Sequence, residues 1–282
     1  TLSYQYSNLA HGGPGLMTTA DTMLSSSPMY HRHWIRDGRR PGRFVDVGYA
    51  YDSSFPLVRE RARTSRQRLT EAGARFVLCY FDETVEHHKY GLIDAEAQRD
   101  DIFALLALLR DDPSVALVTK TQYLRNSPSR VAGLAADIAA AKRTGRCLEF
   151  LHGVHRNTVL PAEAALVADI TIGHAVGGTA SLEAALAGVR SIVLNPYGKL
   201  DGNSSLYAQA DIVYPSMGAA LEAIREYRAG VPSRRGLGDW APILQHFDPY
   251  RDGRAGYRIR EILEVEGAWL GGPNAHGHCL AR

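Results

Sequence analysis

The chain has 282 residues, of which 45% are hydrophobic and 22% charged, and its formal net charge is +2. That length suits one large or two modest domains with a real core, and the composition is that of an ordinary globular protein. The near-neutral balance offers no overall field for nucleic acid, the apolar stretches are too short to span a bilayer, and the first residues do not read as a signal peptide.

The chain begins at Thr1 with no initiator methionine, as a processed form or a piece of a longer polypeptide does. Residues Leu2-Ser-Tyr-Gln-Tyr6 read as a strand. The segment from Gly12 to Tyr51 is rich in Gly, Ser, Pro and Arg and has only weak periodicity, so no element is predicted there. Arginine clusters at Arg32–Arg43 and Arg59–Arg68. An anionic membrane surface or substrate is one reading of them, and solvated helix and loop faces the favoured one. Residues 55–72 form a basic helix that leads into a sheet.

From about residue 75 short apolar runs alternate with helical patterns, the sign of βαβ units and a mostly parallel sheet. Strands are expected at 75–81, 115–118, 147–151, 169–172, 191–194 and 212–214. Helices are expected at 95–110, 129–143, 161–168, 181–187 and 218–227. In the first of these, Ile102, Leu105, Leu106 and Leu109 make an amphipathic stripe. Gly188 and Gly230 fall where C-terminal glycines belong. The tail after Trp269 is expected to be disordered. Cys79, Cys147 and Cys279 are widely spaced and show no metal-ligand pattern; the first two lie in apolar runs and read as buried, reduced thiols, consistent with a cytoplasmic protein.

The chemistry concentrates at Asp169-Ile-Thr-Ile-Gly-His-Ala-Val-Gly-Gly-Thr-Ala-Ser-Leu-Glu-Ala-Ala-Leu-Ala-Gly188. An apolar run breaks into a glycine-rich loop that opens a helix, whose free N–H groups and dipole favour phosphate. The competing reading is a tight β-to-α turn in which Gly173, Gly177 and Gly178 only permit close packing. In open α/β sheets ligands bind beyond the carboxyl ends of the strands. Successive strand ends here deliver Asp82-Glu83, Lys120, His152 with His155 and Arg156, His174 with the loop, and Asn195 with Lys199. Lys120, Arg156, His174 and the loop amides around Gly178, Thr179 and Ser181 suit a leaving phosphate, and Glu183 suits ribose hydroxyls. Asp82 or Glu83 is the nearest candidate base, with His152 and His155 as further candidates. No nucleophile elbow, Walker loop, zinc spacing or Gly-x-Gly-x-x-Gly fingerprint occurs.

The run from Ala168 to Leu194, with Tyr80-Phe-Asp-Glu83, Val118-Thr-Lys-Thr121 and Phe247-Asp-Pro-Tyr-Arg-Asp-Gly-Arg-Ala255, resembles glycosyltransferases of the GT-B fold, and among them proteins of bacterial capsule or lipopolysaccharide biosynthesis. The resemblance covers roughly residues 45–265, and the glycine–glutamate helix recurs in sugar epimerases of that fold. It implies two Rossmann-like domains holding a nucleotide-sugar in the cleft between them, the C-terminal one gripping the donor. By that likeness Glu183 matches a ribose-binding glutamate, Gly177–Ser181 a phosphate cradle, and Lys120 a phosphate-contacting lysine. No metal cofactor is implied, because helix dipole and basic side chains neutralise the leaving group. The implied partners are a nucleotide-sugar donor and a glycan or lipid-linked acceptor, with no nucleic acid, and the implied place is the cytoplasm or the inner face of the inner membrane. Only about fifty residues precede the basic helix, too few for a complete N-terminal domain. The expected organisation is a partial acceptor-side segment (1–52), a linker helix (53–74), a nucleotide-sugar-binding Rossmann-like domain (75–246), a C-terminal helix (247–270) and a tail (271–282). Either most of the N-terminal domain is then expected elsewhere or on a partner chain, or the chain is a Rossmann-like donor domain, a parallel sheet with flanking helices, that keeps a remnant of it. A nucleotide-sugar 2-epimerase, a polyol-phosphate polymerase and a non-catalytic nucleotide-sugar-binding subunit are the competing functions.

Overall fold

The structure is a computed structural model. It describes residues 1–5, 8, 20–36, 38–83, 93–121, 133–150, 159–176, 178–198, 200 and 204–270. In chain order the elements are β1 (Leu2–Tyr4), β2 (Thr22–Ser25), α1 (His31–Arg36), β3 (Arg43–Asp46), α2 (Phe55–Glu71), β4 (Phe76–Phe81), α3 (Ala95–Asp111), β5 (Val115–Lys120), α4 (Ala135–Arg143), β6 (Cys147–Phe150), α5 (Pro161–Ala165), β7 (Ile170–His174), α6 (Thr179–Leu186), β8 (Arg190–Leu194), α7 (Ser204–Tyr207), β9 (Val213–Tyr214), α8 (Met217–Arg228), α9 (Leu244–Phe247) and α10 (Ala255–Leu270). Among the described residues, 1–5, 20–54 and 246–270 make one compact unit, and Asn8 with 55–245 makes a second. The helix expected as a linker thus groups with the larger sheet, and the C-terminal helix with the N-terminal strands.

The smaller unit is a parallel sheet in the order β1-β2-β3. β2 is buried along its whole length, and Met23, Leu24, Tyr30 and Trp34 form its core. Weak periodicity hid β2 because a fully buried four-residue strand shows no alternation. The motif beginning at Phe247 anchors here. Phe247 meets the Tyr30 ring edge-on, and Asp248 accepts the N–H groups of Tyr49, Tyr250 and Arg251 at 3.1, 2.9 and 3.2 Å. Gly48 lies beneath at φ +87°, where a Cβ would sit 3.2 Å from Asp248 Oδ1.

The larger unit is a six-stranded parallel sheet in the order β6-β5-β4-β7-β8-β9. Every expected strand and helix of this part forms, with ends displaced by a few residues; α4 is described only from Ala135. Side-chain alternation divides its residues between two faces. Leu78, Tyr80, Leu117, Ile170 and Ile172 pack with Ile102, Leu105 and Leu109 of α3 and with Ala220 and Ile224 of α8. Val77, Cys79, Phe81, Ala116 and Val118 pack with Ala62 and Leu69 of α2, Ala164 and Ala165 of α5, and Ala184 of α6. Two arginine forks tie α2 to this face. Arg61 grips Glu163 at 3.0 and 2.6 Å, and Arg66 grips Asp169 at 2.9 and 3.2 Å. Asp169 also accepts the N–H of Val77 at 2.7 Å, fixing the start of β7 against β4. Cys79 and Cys147 are free and buried. Among the described residues no helix is long and apolar enough to cross a membrane.

Candidate functional site

Counting from β4, the larger sheet runs 3-2-1-4-5-6, so the winding reverses between β4 and β7. Connections leave these two strands in opposite directions, which opens a crevice beyond their carboxyl ends. Tyr80 pairs with Ile172 across that junction, so Asp82 and Glu83 after β4 and His174 at the end of β7 reach the same rim.

The β7–α6 turn is shaped by close approach. A Cβ on Gly173 would stand 2.5 Å from Ser181 Oγ, so only glycine lets the first turn of α6 lie against β7. Gly178 caps α6 at φ +33°, and a Cβ there would meet Asn8 Nδ2 at 3.2 Å and the Ala175 carbonyl at 3.3 Å. Asn8 donates its backbone N–H to Thr179 Oγ1 at 2.9 Å and its amide to the Gly178 carbonyl and Tyr207 Oη, both at 3.4 Å. No sequence pattern marked Asn8, because 170 residues separate it from the turn it braces. Ser181 Oγ is buried and has no hydrogen-bond partner among the described residues.

Glu183 is buried, and its Oε1 accepts the Ala162 N–H at 2.7 Å, closing the first turn of α5. Lys120 is also buried, and its Nζ donates to the Thr121 carbonyl at 2.7 Å. Burial lowers the lysine pKa, and the charges of Asp82 and Glu183 act against that. Lys120 continues the Ala116–Val118 row, so it lies on the α2/α5 face of the sheet, as Glu183 does on α6. Asp82 is buried at the junction, and the N–H of Glu83 is bound by Gln98 Oε1 at 3.0 Å.

The opposite face carries a second cluster. His174 Nε2 lies 2.9 Å from Tyr80 Oη, and Asp101 Oδ2 from α3 lies 3.5 Å from that hydroxyl and 3.6 Å from the imidazole. Burial pushes His174 down to about 4. The imidazole is therefore neutral at pH 7 and offers a ligand a hydrogen bond rather than a charge. Burial pushes Asp101 up to about 7, opposed by the Tyr80 hydrogen bond and aided by Asp100. Tyr80 is held well above the ordinary tyrosine value by burial and the carboxylates of Asp101, Asp82 and Glu83. Neither Tyr80 nor Asp101 was singled out in the sequence as a site residue.

The described residues thus bring Asp82, Glu83, Lys120, His174, Gly178, Thr179, Ser181 and Glu183 to the carboxyl edge of one sheet. His152, Arg156 and Gly177 lie outside the described residues. Among the described residues no group of three His, Cys, Asp or Glu side chains is placed to hold a metal ion.

No protein-family model and no curated protein matches the sequence. Solved structures do match the fold. The wall teichoic acid polymerase TagF superimposes with a TM-score of 0.56 at 11% identity, over 89% of this chain and 59% of that one. The UDP-GlcNAc 2-epimerase from Neisseria meningitidis, solved bound to UDP-GlcNAc, gives 0.56 at 12%, over 92% of this chain and 67% of that one. The fold is of the GT-B type. At these identities the likeness establishes the GT-B architecture alone, and the chain spans less than two thirds of the length of TagF.

Proposed function

We propose that this chain is a glycosyltransferase that moves a sugar from a nucleotide-sugar donor to a surface-glycan or lipid-linked acceptor. The observation that carries the reading is the β7–α6 turn at the winding reversal. Glycines press a helix start against the strand end, and buried Lys120 and Glu183 lie on the same face. The α6 amides and Lys120 would meet the donor phosphates without a metal ion, and Glu183, which also closes the start of α5, would meet the ribose. Asp82 or Glu83 would act as base toward the acceptor, and the donor-side roles of Arg156 and Gly177 and the base role of His152 belong to the same proposal. A lipid-linked acceptor would place the protein peripherally at the inner face of the membrane. The named neighbours support nucleotide-linked chemistry: one is solved with UDP-GlcNAc, and a TagF variant was soaked with CDPG.

A 2-epimerase is the second reading, favoured by the equal TM-score of the Neisseria enzyme. Calorimetry against CMP, UDP and GDP, with and without magnesium, is the first test, and saturable metal-independent binding of one of them is expected. Product analysis with the matching nucleotide-sugar then decides. Turnover that requires an added acceptor supports transfer, a changed sugar without acceptor supports epimerisation, and binding without turnover supports a non-catalytic subunit.

A further inference from the structure

We propose that Asp101, Tyr80 and His174 form a proton wire that delivers a proton from the Asp101 carboxyl, at His174 Nδ1, to a ligand oxygen seated over the β7–α6 turn. The recipient as a leaving phosphate oxygen rests on the function proposed above; the wire itself does not.

Hydrogen-bond accounting gives the cluster two states. A carboxylate only accepts, so when Asp101 is ionised the Tyr80 hydroxyl must donate to it. Tyr80 Oη then accepts from His174 Nε2–H across 2.9 Å, and Nδ1 is a bare acceptor. When Asp101 is protonated its O–H donates to Tyr80 Oη and the tyrosine O–H turns to Nε2. The neutral imidazole then carries its proton on Nδ1. Delivery converts the second state into the first: the Nδ1–H bond breaks toward the ligand oxygen as Nε2–H forms from the Tyr80 hydroxyl. The Tyr80 O–H is remade from the Asp101 carboxyl, which ends as a carboxylate. One proton leaves the cluster and the imidazole never becomes charged.

Three observations support this. His174 is 3% exposed, and Nδ1 is buried with no partner among the described residues, although a core histidine ordinarily has both ring nitrogens satisfied. Asp101 is the end of the cluster that reaches solvent, with 16% of its side chain exposed against 2% for His174. Its carboxyl exchanges protons near neutrality while the imidazole stays neutral. Among the described residues the groups acting on this pair are few. Asp100 flanks Asp101 on α3, and Asp82 and Glu83 act on Tyr80 from the end of β4. Lys120 of β5 belongs to the other face of the sheet. Asp137 of α4 acts on Arg110, and Arg228 of α8 binds Asp112, both at the far end of α3. The 3.5 Å step from Tyr80 to Asp101 is at the outer limit of a hydrogen bond and must shorten for transfer.

The test is nitrogen-15 NMR of histidine-labelled protein from about pH 5 to about pH 8, with the His174 signals assigned by their loss in His174→Gln. The expected result is a neutral ring throughout whose proton moves from Nδ1 to Nε2 as pH rises, a switch abolished in both Asp101→Asn and Tyr80→Phe. One tautomer across the range, an imidazolium within it, or a switch surviving either substitution overturns the wire. Saturating the protein with a nucleotide that binds should move the Nδ1 resonance, and a bound nucleotide that leaves it unmoved overturns delivery at that atom. Failure of CMP, UDP and GDP alike to bind removes the proposed function instead and leaves the wire to stand or fall on the tautomer switch.

Discussion

The two faces of the six-stranded sheet are built by the same strands and end in different chemistry. Toward α3 and α8 the last polar residues are Tyr80, Thr119 and His174; Tyr80 and His174 share a hydrogen bond and are joined by Asp101, and the Thr119 hydroxyl is buried without a partner among the described residues. Toward α2, α5 and α6 the charged groups gather, Arg61 with Glu163, Arg66 with Asp169, Lys120, and Glu183 on the α5 helix start, beside the neutral Thr171–Ser191 hydrogen bond. Beneath them the cores differ too, rich in Leu and Ile toward α3 and α8 and in Ala and Val toward α2, α5 and α6. Alternation along a strand therefore lets one edge gather charged groups on one side and a proton-sharing cluster on the other, with Asp82 at the end of β4 acting on both Tyr80 and Lys120.

The charged face is easiest to break at its closest approach. Gly173→Ala is expected to cost about 1–3 kcal/mol, as overpacking does, because its Cβ would meet Ser181 Oγ at 2.5 Å. Urea unfolding of the single variants and of Gly173→Ala with Ser181→Ala measures the coupling. A single variant as stable as the parent removes the steric account of the turn.

Glu183→Ala is expected to cost about 0.5–2 kcal/mol, the range for a lost helix-start acceptor, since Ala162 N–H loses its partner. Glu183→Gln keeps an oxygen for that N–H and should retain most of the stability. If the glutamine variant also loses nucleotide affinity while staying folded, Glu183 serves the ligand as well as α5.

The opposite face is expected to show itself in pH. Asp101 titrates near 7 when folded against about 3.9 when exposed. The folded state thus holds the extra proton between those values, and this group's contribution falls as pH rises through them. His174 titrates near 4 when folded against about 6.5 when exposed. There the unfolded state holds the proton, and stability rises with pH across that window. The two slopes oppose each other from about pH 4 to about pH 6.5, and only the fall due to Asp101 continues above. Asp101→Asn should therefore leave a curve that rises with pH, and His174→Gln one that falls. Identical profiles for the two variants would contradict the assignment.

The smallest expected effect separates buried from exposed charge. Lys120→Met should weaken nucleotide binding with little salt dependence, because Lys120 is only 5% exposed and buried charges are weakly screened. Calorimetry at low and high ionic strength measures it, and a loss that vanishes at high salt would put Lys120 in solvent contact instead.

The order of strands and helices from residue 75 onward was legible because each apolar run and each stripe is a local pattern. So was the turn at Gly173–Gly178, since strand, glycines and helix start are contiguous there. β2 was not, because a short buried strand carries no alternation, and α1 and β3, at 6 and 4 residues, are too short to show a period. Asp101 sits beside the apolar stripe of α3 and reads as solvated surface, yet the position of α3 over β4 turns it toward Tyr80 and His174. Asn8 reaches Gly178 and Thr179 only through folding.

The sequence by itself determined that this is an α/β chain with a glycine-bounded helix start at a strand end, because hydrophobic period and backbone freedom act over a few neighbouring residues. The tertiary structure alone decided which polar side chains share an environment. Glu183 faces Ala162, Asp101 faces Tyr80, and His174 is neutral because strand order and helix packing bury them together, and burial is a property of no single stretch of sequence.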